Sequence, residues 1–235
     1  MAVSHRKLQQ RLQVTNEIWR VVGALAASSA VSVLLIIGRI LAFSNYGYIF
    51  MVWNLVLAWL PLVFAWLWVL YIRRNRVVSA TSLMLLILWL GFLPNSFYII
   101  TDFIHLRTAT RATVLYDVAM LMSFTMNGVV LGFVSMALVH LELLKRLSKV
   151  RAHAIITGIL LLSSFAIYLG RFLRWNTWDV LVNPAGILFS FSGQITQTSV
   201  QTTLLSTTLL FTVLLGSIYM VCWQLVRAFG ASQQS

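Results

Sequence analysis

The chain has 235 residues, of which 60% are hydrophobic and only 9% are charged, and its mean hydropathy is +0.89. Soluble domains carry about 25% charged residues, so a chain this apolar cannot cover its own surface in water and is predicted to be an integral membrane protein. The formal charge of +12 does not indicate nucleic-acid binding, because the basic residues lie in short runs between hydrophobic segments, as topology signals do. One cysteine excludes an internal disulfide, and the composition identifies no cofactor.

The order of hydrophobic segments predicts the domain organisation. Residues 1–20 are basic and form either an amphipathic helix on the membrane surface or a solvated tail that sets orientation. Six segments are then long enough to cross about 30 Å of hydrocarbon. They are Val21–Phe43, Ile49–Ile72, Val77–Ile99, Leu115–Leu141, His153–Leu173 and Thr203–Val226. We therefore predict an all-α, polytopic transmembrane helix bundle over residues 21–227, followed by a short tail, residues 228–235.

The basic residues of the loops predict how the bundle is oriented. Most of the seventeen lie before the first span, in the second and fourth loops, and after the last span. The positive-inside rule places that side and both termini in the cytoplasm. The turn 44–48, the loop 101–114 and the long loop 175–202 are then expected to face outward. His140 and Glu142, at the inner end of the fourth span, are expected to be solvated.

A polar stripe marks the outer end of the third span. Asn95, Tyr98, Asp102 and His105 are spaced three, four and three residues apart, which on a helix places all four on one face. Pro94 lacks an N–H group and is expected to kink the helix just before the stripe. Asp102 lies one helical step from His105, so its carboxylate is positioned to orient the imidazole.

The outer end of the fifth span carries a second group of polar residues, Arg171, Arg174, Asn176 and Asp179. Two arginines at membrane depth need anions, either protein carboxylates or a bound ligand. The carboxylates at this level are Asp102, Asp117 and Asp179, and two polar residues from other spans at the same level are Arg39 and Asn54. We predict that these groups form one layer at the outward end of the bundle.

This layer admits two main interpretations. In the first, Arg171 and Arg174 pair with aspartates and only pin the helices together, as intramembrane charges usually do. In the second, the arginines hold an anionic or lipid-linked ligand, while His105 acts as acid or base beside Asp102. Asn95, Tyr98, Asn176, Asp117 and Asp179 complete the candidate ligand site.

Two further classes of function are less well supported. A metal site built from His105 and the neighbouring aspartates is chemically feasible, but its spacing matches no known metal signature, so no metal is predicted. A transporter is disfavoured because its site normally lies near the midplane, on broken helices of repeated units, whereas these polar groups lie at one end and no repeat is visible. Membrane lipids are the only partners that the sequence predicts directly.

The two polar segments, FLPNSFYIITDFIHL and GRFLRWNTWD, resemble the signature segments of a family of bacterial membrane proteins, the domain of unknown function 1361 family. The chain departs from that pattern at Ser96-Phe97, where the family has Ala-Pro, and at Thr177, where Ser is common. The resemblance implies a small multi-pass protein of the bacterial plasma membrane and transfers no activity. The matching positions are Pro94, Asn95, Tyr98, Thr101, Asp102, His105, Leu106, Gly170, Arg171, Arg174, Asn176 and Asp179.

Overall fold

Six long helices and one 3₁₀ helix make up the part of the chain that the structure describes. The structure, a computed structural model, describes residues 2–44, 46–75, 77–108, 110–173 and 198–232. Six helical stretches are long and apolar enough to cross a membrane, the third of them formed by an α-helix together with the 3₁₀ helix, which confirms the predicted all-α, six-span bundle. The helices are α1 (Ala2–Phe43), α2 (Phe50–Ile72), α3 (Ala80–Tyr98), the 3₁₀ helix (Ile99–Thr108), α4 (Val114–Leu144), α5 (Lys149–Phe172) and α6 (Thr198–Ser232).

The bundle is organised around α4. This helix packs against α1, α2, α3, α5 and the 3₁₀ helix, and its membrane span is more deeply buried than any other span in the described ranges. Phe97 and Phe133 lie in a core between α3 and α4, while Met51 and Leu121 lie in a second core between α2 and α4. α1 packs mainly on α4 and α6 mainly on α5, so these two helices lie at the periphery.

Two glycines let α4 approach α3 closely. A β-carbon on Gly128 would lie 2.5 Å from the carbonyl oxygen of Ser96, and one on Gly132 would lie 2.6 Å from the ring of Phe97. Small residues four apart permit such close backbone contact in membranes, where apolar side chains gain nothing by leaving lipid. On its other side, α3 is tied to α2, because the Ser96 hydroxyl donates a hydrogen bond to the carbonyl of Ala58 at 3.1 Å.

The region after the third span differs from the prediction. The predicted loop 101–114 is largely a 3₁₀ helix that continues α3 as far as Thr108. A 3₁₀ run of this length is uncommon, and tertiary contacts hold it. Asn54 Nδ2 donates to the carboxylate of Asp102 at 3.0 Å, and the Tyr48 hydroxyl donates to the carbonyl of His105 at 3.2 Å. Sequence spacing alone does not reveal these long-range anchors.

The prediction that His140 and Glu142 are solvated is wrong. His140 is 1% exposed and Glu142 is 5% exposed. The reason is the central position of α4, which keeps even its last turns covered by neighbouring side chains. At the start of the chain, α1 begins at Ala2, so the basic N-terminal segment is helical and continues into the first span without a break.

The Gly128 contact generates a stability prediction. Gly128→Ala is expected to lower the melting temperature in detergent, because overpacking a well-filled site costs about 1–3 kcal/mol. Gly158→Ala is the matched control, since its β-carbon would meet no atom within 4 Å. Equal melting temperatures for the two variants would contradict the close α3–α4 contact.

Candidate functional site

A cavity of about 1040 Å³ lies between α2, α3 and α5 at the end of the bundle that contains His105. α3 forms its floor, because α3 packs against both α2 and α5, whereas α2 and α5 barely touch each other in the described ranges. One face of α2 contributes Phe50, Trp53, Asn54 and Leu57, spaced three, one and three apart. The cavity is therefore a cleft between two helices that share a neighbour.

The predicted stripe lies on the wall of this cavity. Asn95, Tyr98, Asp102 and His105 all line it. The Asp102 side chain is buried and accepts a hydrogen bond from Asn54 Nδ2 at 3.0 Å. Asn95 donates to the carbonyl of Phe92 at 3.2 Å, within the turn that contains Pro94. Four polar side chains of one helical segment thus face the same space.

The imidazole of His105 is held by aromatic neighbours. Its ring centroid lies 5.0 Å from that of Phe50 and 6.3 Å from that of Tyr48. Tyr48 also bonds the backbone carbonyl of His105, so both the main chain and the ring of this residue are fixed by the start of α2 and the turn before it. Such positioning is required of a group that transfers a proton to or from a ligand.

Arg171, at the last turn of α5, lines the cavity opposite the stripe. It is half-buried and forms no ion pair with any carboxylate of the described residues. It nevertheless lies within electrostatic range of both Asp102 and His105. A guanidinium placed this way presents several N–H donors that match a phosphate or carboxylate.

Below this polar end, the body of the cavity is mainly apolar. Leu57, Ile87 and Leu162 line it. Ser163 also faces it, with a buried hydroxyl that has no hydrogen-bond partner among the described residues. Ser163 lies eight residues before Arg171 on α5, which corresponds to about 12 Å along the helix. This depth is close to the thickness of one leaflet, about 15 Å of hydrocarbon.

Asp117 does not join Asp102 at the cavity. It is fully buried against α1, where Arg39 donates to both carboxylate oxygens, the Nη2–Oδ2 distance being 3.1 Å. The Arg39 guanidinium also lies 4.4 Å from the centroid of the Tyr48 ring. The predicted layer is thus divided between a paired clamp on α1 and α4 and a cavity between α2, α3 and α5.

Three predicted site residues, Arg174, Asn176 and Asp179, lie outside the described residues. Within the described ranges, no group of three His, Cys, Asp or Glu side chains is placed to hold a metal ion. The α2 wall and Ser163 are the site residues that sequence analysis did not select. From the sequence, Asn54 was placed only at the same level as the polar layer. Its helical spacing with Phe50, Trp53 and Leu57 could have predicted that this face of α2 lines the site.

A known protein family matches most of the chain. A family model described as a protein of unknown function, DUF1361, matches residues 53–216. The chain belongs to the DUF1361 family. No curated protein and no solved structure matches it. The matched range contains α3, the 3₁₀ helix, α4 and α5 entirely, so the cavity of this DUF1361 protein is built mainly from the matched region.

The buried pair on α1 and α4 generates the second prediction. Asp117→Asn is expected to destabilise the protein by about 3–5 kcal/mol, because it removes the carboxylate that neutralises the buried Arg39 guanidinium. The double variant Arg39→Met, Asp117→Leu is expected to recover much of the loss, since it removes both charges together. Unfolding in denaturant measures both effects.

Arg107→Gln is the matched control for this pair, since Arg107 is an exposed cation of the same end. Its stability is expected to stay within about 0.5 kcal/mol of the wild type. An Asp117→Asn variant as stable as Arg107→Gln would show that the pair does not hold α1 against α4.

Proposed function

We propose that this protein binds an anionic, lipid-linked ligand in the cavity between α2, α3 and α5. The observation that carries the proposal is that one cavity has two parts. One end is polar and is lined by Arg171, and the rest is mainly apolar and about as deep as one leaflet of the membrane. The ligand's anionic group lies at the polar end and its chain lies along the apolar body. The positive-inside rule predicts that this polar end faces outward, and we infer a bacterial plasma membrane from the family resemblance.

Electrostatics supports an anionic head group. Among the described residues, the fully buried Asp117 is neutralised by Arg39, and Asp102 accepts a hydrogen bond from Asn54. Arg171 has no such carboxylate partner in the described ranges. A cation at membrane depth is costly unless an anion accompanies it. A phosphate or carboxylate bound to Arg171 satisfies that requirement, and the second N–H of the Asn54 amide is a further hydrogen-bond donor at the same end.

The shape of the cavity supports a chain-bearing ligand. Because α2 and α5 barely touch each other, the cleft between them gives a lipid chain a route into the cavity from the surrounding leaflet. Trp53 and Leu57 on α2 and Leu162 on α5 form apolar walls along this route. A water-soluble anion would gain nothing from these walls, whereas a chain that enters from the leaflet keeps apolar surroundings while its anionic group reaches Arg171.

The third prediction tests the role of Arg171. In nanodiscs of phosphatidylcholine, Arg171→Gln is expected to weaken binding of dodecyl phosphate by about tenfold to a hundredfold, because hydrogen bonds to charged groups contribute about 1.5–3 kcal/mol. Native mass spectrometry of the protein released from the discs measures the bound fraction at each concentration.

Arg107→Gln removes a cation from the same end of the bundle but from outside the cavity, and it is expected to bind dodecyl phosphate like the wild type. Dodecanol supplies the same chain without the anion and is expected to bind more weakly. An anion site at Arg171 would be refuted if Arg171→Gln and Arg107→Gln lost the same affinity for dodecyl phosphate. It would also be refuted if the wild type bound dodecanol as tightly as dodecyl phosphate.

A second candidate function is acid–base catalysis on the bound ligand at the outer face. The observation that favours it is the placement of His105 and Asp102 on the cavity wall, within electrostatic range of Arg171. In this arrangement Arg171 holds the anionic group, and His105 donates a proton to a leaving oxygen or accepts one from an attacking water.

The fourth prediction separates catalysis from binding alone. If the protein is an enzyme of this kind, it releases phosphate from farnesyl diphosphate, and His105→Gln lowers the turnover rate by about a hundredfold or more. The same variant is expected to bind dodecyl phosphate as well as the wild type. Equal phosphate release by wild type and His105→Gln would exclude His105 as the acid or base and leave the binding function.

A further inference from the structure

A second cavity, of about 310 Å³, lies at the opposite end of the bundle, where α4, α5 and α6 meet. Its polar end contains His140 from α4, His153 from α5 and Trp223 from α6. Its deeper part is lined by the apolar residues Ile156 and Leu160. This is the end that the basic loops predict to be cytoplasmic. The cavity shares no lining residue with the one at the His105 end.

The imidazole of His140 is fixed on three sides. Its Nδ1 lies 3.0 Å from the hydroxyl oxygen of Tyr219. The ring of Trp223 stacks on it with centroids 4.1 Å apart, and the ring of His153 contacts it edge to face at 4.8 Å. His140 is therefore held rigidly, in an aromatic enclosure built by three helices.

Two nitrogen atoms of this enclosure have no hydrogen-bond partner among the described residues. They are His140 Nε2 and Trp223 Nε1, and both are buried. His140 is 1% exposed and Trp223 is 8% exposed. Buried polar atoms normally find partners, because leaving one unsatisfied costs about 1–3 kcal/mol. Both atoms belong to side chains that line the same cavity, which points to a ligand within it.

The chemistry of these atoms selects an acceptor ligand. An indole N–H only donates a hydrogen bond, so Trp223 requires an acceptor and cannot coordinate a cation. When the Tyr219 hydroxyl donates to Nδ1 of His140, the neutral imidazole carries its proton on Nε2 and becomes a second donor. Two donors in one small cavity match the oxygens of a phosphate group.

Cations are placed one helical turn beyond these donors. Lys149 precedes His153 by four residues on α5, and Arg227 follows Trp223 by four residues on α6, so each lies on the same helix face toward the end of the bundle. Both are exposed. None of the described carboxylates lines the cavity, and Glu142, two residues after His140, is already bonded to Lys145 and Arg146. The surroundings therefore favour an anion.

We propose that this cavity binds the phosphate of an anionic phospholipid from the cytoplasmic leaflet. The phosphate accepts hydrogen bonds from His140 and Trp223, and Lys149 and Arg227 neutralise the head group. One acyl chain lies against the apolar residues Ile156 and Leu160. The site is separate from the proposed ligand site at the His105 end and does not depend on it.

The experiment titrates delipidated full-length protein with phosphatidylglycerol in detergent and counts bound lipid by native mass spectrometry. It is performed in the Arg171→Gln background, so that the cavity at the other end contributes little. Trp223→Phe keeps an aromatic ring and removes the indole donor, and it is expected to weaken binding about tenfold, which corresponds to about 1.4 kcal/mol. Arg227→Gln is expected to have a similar effect.

Matched control variants distinguish a specific lipid site from general electrostatic attraction between the protein and anionic lipid. Trp66→Phe removes an indole donor on α2, where the ring packs edge-on against Trp19, and Arg73→Gln removes an exposed cation at the predicted cytoplasmic end of the same helix. Both are expected to bind phosphatidylglycerol like the parent protein. If Trp223→Phe fails to fold, the comparison of Arg227→Gln with Arg73→Gln decides the question.

Three results would overturn the proposal. An equal loss of phosphatidylglycerol binding in Arg227→Gln and Arg73→Gln would mean that exposed cations attract anionic lipid without a specific site. Equal binding of dioleoylglycerol, which has no phosphate, would reduce the cavity to an apolar groove. Displacement of phosphatidylglycerol by inorganic phosphate at similar concentration would assign the cavity to soluble phosphate rather than to lipid.

Discussion

Polar groups within a membrane must find their partners inside the protein, and this requirement organises the structure. The hydrocarbon region offers no hydrogen-bond donors or acceptors, so each buried hydroxyl, amide or charge draws helices together. Asn127 of α4 donates to the hydroxyl of Ser32 on α1 at 2.9 Å. Trp89 of α3 donates to the hydroxyl of Ser135 on α4 at 3.3 Å. Bonds of this kind join the spans around α4.

Among the described residues, four buried side-chain atoms are exceptions to this rule, and three of them belong to residues that line the two cavities, Thr208 being the fourth. Ser163 lacks a partner among the described residues and lines the larger cavity, where Arg171 lacks a described carboxylate partner. His140 and Trp223 have unpartnered nitrogens and line the smaller one. A buried polar group that lacks a partner and lines a cavity has a physical explanation, namely a ligand that completes its hydrogen bonds. The same reasoning therefore supports both proposed sites, although their chemistry and location differ.

The arrangement of polar and charged residues at the outward end of the bundle was only partly predictable from the sequence. Spacing placed Asn95, Tyr98, Asp102 and His105 on one face, and the four residues line one cavity. Spacing within a single helix says nothing about which arginine meets which aspartate, because that depends on neighbours far away in sequence. The structure pairs Asp117 with Arg39, 78 residues away, and so separates it from the cavity.

The sequence by itself determined the membrane class, the number of spans and the family, because these depend on local hydropathy, segment length and contiguous motifs. Only the tertiary structure decided which faces of the helices meet. Spans that are apolar on every side carry little signal for the side that faces protein rather than lipid. The cleft between α2 and α5, the close contact at Gly128 and the burial of His140 all depend on that choice.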